Sequence, residues 1–256
     1  MAKADERFAM SLLKVDAIGK NFGGVRALDQ VSLEVAESET MGLMGANGAG
    51  KTTLFSIIAG HTRPSTGNIL FKGKSITGYR PDKICRLGIA RTFQIVRPFT
   101  AMNVRENVEV AILFGDTNYQ FDHEPSSSLA AQAMSVLRDV GLQDMAELPA
   151  GKLTLSARKC LEVARALATS PEILLLDEVM AGLTPREVDD MIDRIQQIKT
   201  KRRLSIVIVE HVVKALNTLS ERVIVLHHGQ TIASGSPKEI ANNPAVREAY
   251  FGEPAR

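Results

Sequence analysis

The sequence predicts an α/β fold: a core of buried strands and helices, an antiparallel β subdomain near its start, and a mostly helical lobe inserted into the core. Three observations carry this. A glycine-rich loop joins a short apolar run to a helix-forming stretch between residues 41 and 60. Short apolar runs bounded by polar residues recur at 172–177, 205–210 and 222–227, as buried strands do. The stretch 98–168 is patterned for helix and interrupts that strand series.

Taken in order, Met1 to Arg7 is charged and lacks the apolar centre of a signal peptide, and residues 1–10 are expected to be flexible. Leu12–Phe22 and Val25–Val35 read as two strands turned at Gly23-Gly24. Met41–Met44 suits a buried strand, and Thr53–Gly60 suits a helix ended by glycine. Asn68–Ile76 reads as one more strand, and polar Asp116–Ser128 as a surface loop. Helices are expected at Ala130–Val140, Ala157–Thr169 and Pro185–Thr200. The last places Val188, Met191, Ile192, Ile195 and Ile198 on one face, a core stripe. Its start has Thr184 as cap, Pro185 in the first position and Glu187 closing a capping box. The chain reads as a single domain, with 11–97 and 166–256 forming the core and 98–165 the helical lobe.

Composition excludes several classes. At 256 residues and 45% hydrophobic content, the chain suffices for one large α/β domain with a second lobe. Its 31 basic and 29 acidic residues leave a net charge of +2, so no broad basic field marks nucleic acid as a partner. The longest basic run, Lys199 to Arg203, falls where a helix should end, and cations there suit the helix dipole. Cys85 and Cys160 make neither a disulfide framework nor a metal-ligand spacing. No run approaches the ~20 apolar residues of a membrane span. A soluble, cytosolic chain is expected, held at a membrane only through another subunit.

The most informative stretch is Gly45-Ala46-Asn47-Gly48-Ala49-Gly50-Lys51-Thr52-Thr53, which fits G-x-x-x-x-G-K-[ST]. Glycines at 45, 48 and 50 let the backbone turn sharply and approach a ligand. Converging N–H groups of such a loop cradle phosphate oxygens. Lys51 can place a charge on terminal phosphates, and the Thr52 hydroxyl can ligate Mg²⁺. Strand, loop and helix N-terminus together make an anion site. Downstream, the apolar run Ile173–Leu176 ends in Asp177 and Glu178. Acids at the C-terminal edge of a buried strand face the crevice where ligands bind in such sheets. Asp177 is placed to hold Mg²⁺, directly or through water. Glu178 can orient and polarise an attacking water. Ser205–Glu210 ends likewise at His211, whose ring can reach a γ-phosphate or that water, although a lone histidine after a strand is more often structural.

With these residues in place, the chain resembles the ATP-binding subunit of an ABC transporter over nearly its whole length. Residues 45–53 match Walker A, and Ile173–Glu178 match Walker B with its following glutamate. Gln94, in Arg91-Thr92-Phe93-Gln94, matches the Q-loop glutamine, and His211 the switch histidine. Phe22 falls where this family stacks an aromatic ring on adenine. Arg91 to Phe99, Met102 to Val108 and the ending Asn242 to Glu253 are similar to the branched-chain amino-acid branch, and within it to the larger of the two ATP-binding subunits.

The resemblance implies the following. The fold is a P-loop NTPase core of ABC ATPase type. ATP and Mg²⁺ are the cofactors. The nucleotide is held by Phe22 and by Gly45, Ala46, Asn47, Gly48, Ala49, Gly50, Lys51, Thr52 and Thr53. Mg²⁺ is held by Thr52, Gln94 and Asp177, and the catalytic residues are Glu178, His211 and Gln94. A second ABC ATP-binding subunit would pair with this chain, as a homo- or heterodimer sandwiching ATP. Two integral membrane permease subunits and, indirectly, a periplasmic or extracellular solute-binding protein complete an importer on the cytoplasmic face of the inner membrane. The activity implied is ATP hydrolysis driving uptake of branched-chain or other hydrophobic amino acids. A soluble ABC ATPase of DNA repair or translation, and an ATP-binding regulatory module with little turnover, are the alternatives.

One segment departs from the family pattern. The signature Leu-Ser-Gly-Gly-Gln aligns with Leu153-Thr154-Leu155-Ser156-Ala157. Thr154 keeps a hydroxyl that could reach the γ-phosphate of ATP held by the other subunit, but both glycines and the glutamine are gone. Ala181-Gly182-Leu183-Thr184 also departs from the usual Ser-Ala-Leu-Asp. Ile95, Val96, Pro98 and Phe99 are expected to line an apolar groove that receives a short helix of a membrane subunit.

Overall fold

The computed structural model describes residues 11–93, 97–115 and 128–251. The expected flexible start at 1–10, nearly all of the 116–128 loop, and Gln94, Ile95 and Val96 lie outside the described residues. The chain forms two compact units, Met1–Pro81 with Ser220–Arg256, and Asp82–Leu219.

In the first unit, β1 (Leu13–Phe22) and β2 (Val25–Val35) make the expected antiparallel pair. They are followed by β3 (Thr40–Gly45), α1 (Lys51–Ile58), β4 (Thr66–Phe71) and β5 (Lys74–Ser75). Inward Leu13 and Val15 alternate with outward Lys14 until Asp16 and Ala17 both face out. Ala17 has φ 47°, and the pairing register shifts there before Ile18 turns inward again. This is a β-bulge, and it restores the buried face after one extra residue. The antiparallel sheet runs β2-β1-β4-β5.

Residues 68–76, expected as one strand, are instead a hairpin. Lys72 and Gly73 have φ of 51° and 72°, and Phe71 pairs with Lys74 across them. Two successive positive φ values make the tight turn that strand twist favours. Lysine in the first of those positions disguised it.

The second unit opens with α2 (Pro81–Arg86) at its boundary, then β6 (Ile89–Arg91), α3 (Val104–Phe114), α4 (Leu129–Asp139) and α5 (Leu155–Ala168). The chain continues through β7 (Ile173–Asp177), α6 (Pro185–Arg202), β8 (Ser205–Val209) and α7 (Val213–Leu219). Strands β6, β7 and β8 pair in parallel. Both β7 and β8 are buried at every residue, which is why they read as continuous apolar runs rather than as alternations. The α6 stripe Val188, Met191, Ile192, Ile195 and Ile198 is buried, and Thr184 and Glu187 form the expected capping box. Helix α5 packs against α3, α4, β6 and β7.

The chain then returns to the first unit through β9 (Arg222–His227), β10 (Gln230–Gly235), α8 (Pro237–Asn242) and α9 (Pro244–Phe251). Strand β9 runs parallel to β3, and β10 antiparallel to β9. Val223 and Val225 bury against Ile240 and Val246 of the two closing helices.

Candidate functional site

In the first unit the glycine-rich loop turns between the end of β3 and the start of α1. A Cβ on Gly45 would lie 2.5 Å from the Leu226 carbonyl oxygen. Gly50 has φ 105°, and a Cβ there would lie 2.7 Å from the Ala27 carbonyl oxygen. Only glycine fits either place. Gly50 also caps α1 without any side-chain hydrogen bond to its first-turn amides. A helix N-terminus with no capping side chain in the way presents its dipole and first-turn amides to an anion. Ala46, Asn47 and Gly48 form an exposed rim, Ala49 is buried, and Thr52 is exposed on the first turn while Thr53 is partly covered. Lys51 is buried, and its Nζ donates to the carbonyl oxygens of Gly45 at 2.6 Å and Ala46 at 3.0 Å. The charge is thus held over its own loop. Phe22 is half exposed at the end of β1, with Lys20 Nζ 4.8 Å above one face of the ring.

In the second unit the sheet edge where β7 and β8 end gathers Asp177, Glu178, Glu210 and His211. Asp177 is 1% exposed. Its Oδ2 accepts from Arg91 Nη2 at 2.8 Å, and its backbone N–H donates to Thr92 Oγ1 at 3.0 Å. Its Oδ1 is buried with no hydrogen-bond partner among the described residues. A buried carboxylate oxygen left so is costly unless a donor or cation joins it, and Mg²⁺ fits that atom by charge and by its preference for oxygen.

Glu178 follows in the left-handed region, at φ 51°, a conformation that costs a residue with a Cβ about 1–2 kcal/mol. The turn aims its carboxylate at His211, with Oε1 to Nε2 at 3.1 Å. Its backbone N–H donates to Val209 O at 2.9 Å. Buried Glu210 accepts the Met180 N–H at 2.9 Å, and burial pushes its carboxyl up to about 7. Lys159 of α5, also buried, donates to the Glu178 carbonyl at 2.9 Å. Desolvation lowers its ammonium, opposed by Glu210, Glu178, Asp177 and Glu162.

Thr154 caps α5, its Oγ1 accepting the Ala157 N–H at 3.3 Å. The hydroxyl proton remains to be donated. The helix starts at Leu155, two residues before the expected Ala157. Leu155 is 49% exposed, and its Cδ2 lies 3.2 Å from where a Cβ on Gly182 would be. Leucine therefore stands on the surface at a position where the family signature has a glycine.

The ABC transporter family model matches residues 28–181. The chain belongs to the ABC transporter family. A second family model, of the branched-chain amino acid ATP-binding cassette transporter, matches residues 230–256. Among ABC transporter proteins, the chain is 37% identical over 250 residues to the high-affinity branched-chain amino acid transport ATP-binding protein LivG of Salmonella typhimurium, spanning 94% of this chain and 98% of that protein. It is 35% identical over 253 residues to BraF of Pseudomonas aeruginosa, which carries the same description, again with 94% and 98% covered. The solved ADP conformation of MJ1267, an ATP-binding cassette of an ABC transporter, is similar at a TM-score of 0.84 and 29% identity. That match covers 95% of this chain and 100% of that one. As an ABC family member of this ATP-binding type, the protein binds nucleotide and is an ATPase coupled to transport.

The sequence reading missed Arg91, Lys159 and Glu210. Glu210 had a visible signal, since it ends a buried apolar run as Asp177 does. Lys159 had none, because a lysine just over one turn into a helix reads as solvated until its neighbours are known.

Proposed function

We propose that the protein hydrolyses Mg-ATP to drive an importer of branched-chain or other hydrophobic amino acids. The observation that carries the solute is the similarity to LivG across 94% of the chain, and the C-terminal match at 230–256 supports it. Lys51 and the loop amides bind the phosphates, and Phe22 stacks on the base. Thr52, Asp177 and Gln94 hold Mg²⁺, which when bound neutralises charge on the phosphates. Among the described residues no three His, Cys, Asp or Glu side chains gather as a metal cage, as suits an ion held largely by substrate oxygens and water. Glu178 takes a proton from water, or orients it, as that water attacks the γ-phosphorus in line and the bond to the β,γ-bridging oxygen breaks, releasing ADP and phosphate. His211 holds Glu178 and the γ-phosphate end. The division into a core of 11–97 and 166–256 and a lobe of 98–165 belongs to the same reading.

Among the described residues no helix is long and apolar enough to cross a membrane. The similarity to LivG supports a peripheral place on the cytoplasmic face, with the chain bound to two permease subunits and to a second ATP-binding subunit. A solute-binding protein delivers cargo from outside.

Two measurements test this. A tagged chain extracted in mild detergent should bring down hydrophobic membrane subunits. Cells lacking the gene should lose uptake of leucine, isoleucine and valine and regain it with the wild-type copy. Unchanged uptake removes the assigned solute class, and purification without membrane subunits favours the soluble ABC ATPase instead.

A further inference from the structure

The Glu178 turn is braced from two sides by groups that the proposed chemistry does not use. Its left-handed backbone places a carbonyl toward α5, where Lys159 donates to it at 2.9 Å. Two residues on, the Met180 N–H is taken by Glu210 Oε1 at 2.9 Å. Lys159 and Glu210 are both buried charged residues, and each is spent on backbone rather than on solvent. Helix α5 continues the pattern one turn at a time. Glu162 accepts the backbone N–H of Phe93, and Arg165 Nη1 donates to the Arg97 carbonyl at 3.1 Å. Residues 159, 162 and 165 lie on one face of a helix. That face therefore carries a ladder of charges gripping main chain on neighbouring segments, while its first turn begins at Thr154.

We propose that Lys159 and Glu210 are positioning residues for Glu178, fixing the backbone turn that aims its carboxylate, so that the placement of α5 sets the placement of the water-polarising group. The inference rests on the reading of Glu178 given above. A carboxylate carried on a strained turn relaxes when its clamps are cut. A loss of aim of this kind lowers the chemical step without touching nucleotide affinity.

The test uses the full chain in its assembled transporter, with four single variants, Lys159→Met, Glu210→Leu, Glu210→Gln and Glu178→Gln, and the double variant Glu178→Gln/Glu210→Leu. Steady-state ATPase, KM for Mg-ATP, affinity for a fluorescent ATP analogue and melting temperature are measured on each. Lys159→Met and Glu210→Leu should each lower kcat about tenfold or more, with KM and analogue affinity within about twofold of wild type. Glu210→Gln keeps the acceptor for Met180 and should keep most of kcat. In a Glu178→Gln background, Glu210→Leu should add no further loss. Wild-type kcat in Lys159→Met and Glu210→Leu overturns the proposal. So does a fall in kcat matched by a fall in melting temperature or in analogue affinity, which marks a structural role. If Glu210→Leu does not fold, Lys159→Met decides by the same criteria. Full turnover in Glu178→Gln is a different failure: it removes the role given to Glu178 itself.

Discussion

Lys51 holds its charge in a buried place, folded onto two carbonyls of its own loop. A point charge so placed is already desolvated, and its interaction with a polyanion is far stronger than at a surface. Lys51→Ala should therefore lower turnover at saturating Mg-ATP by about 100-fold or more, and near-normal turnover there would detach the loop from catalysis. Glu210 makes a second residue-scale prediction. Its carboxyl sits at about 7, chiefly through burial, against the pull of Lys159 and the Met180 and His211 amides and with Glu178 adding to the rise. An acid raised in the fold binds its proton more tightly there than when unfolded, so stability is kept at low pH and lost as pH rises toward 7. Glu210→Gln should accordingly gain stability over wild type as pH goes from about 5 to 8, by up to about 3 kcal/mol. A denaturant-melt difference that stays flat across that range sinks the assignment. Most residues of the proposed site could be named from motif spacing, because phosphate and Mg²⁺ chemistry ties particular side chains to a strand end and a loop. Their bracing could not, since Lys159 owes its burial to packing far away in sequence.

At the scale of elements, the boundaries that were legible are those with chemical punctuation. Thr184, Pro185 and Glu187 announced the start of α6, and Gly23-Gly24 the first turn. The β4–β5 hairpin was hidden because Lys72 carries no turn signature, and α2 and β6 were too short for periodicity to register. The basic end of α6 proved to have a partner as well as a dipole to suit. Lys201 Nζ and Arg202 Nη2 each lie 2.6 Å from a carboxylate oxygen of Asp139, at the end of α4. Asp139 is 5% exposed, and Arg202 is itself largely covered. Removing the acid takes a buried carboxylate away from two cations, one of them a largely covered guanidinium. Asp139→Ala should thus destabilise the protein by about 2–4 kcal/mol, less than for a fully buried pair because Lys201 is open to solvent. Thermal melts read this directly, and a change under about 0.5 kcal/mol would mean that the pair is a surface contact in effect.

At the scale of the molecule, the altered signature bears on how two ATP-binding subunits share work. Leu155 stands half exposed at the start of α5, where a side chain rather than bare backbone would meet a partner's nucleotide. Steric exclusion there outweighs one lost hydrogen bond, worth about 0.5–1.5 kcal/mol. In an assembled transporter with a distinct second subunit, Glu178→Gln in this chain should stop most turnover, and the matching change in the partner should cost much less. Equal losses would show that Thr154 and the helix N-terminus suffice.

The left-handed turn at Glu178 also has a bearing on heat resistance. Glycine adopts that conformation freely, and its greater freedom when unfolded offsets only part of the relief, leaving a net gain of about 0.5–1 kcal/mol. Glu178→Gly should then melt higher than the wild type while hydrolysing no ATP. A library screened for thermostability alone would drift toward an inert protein at this position. The sequence as it stands keeps a tolerable local weakness in exchange for chemistry.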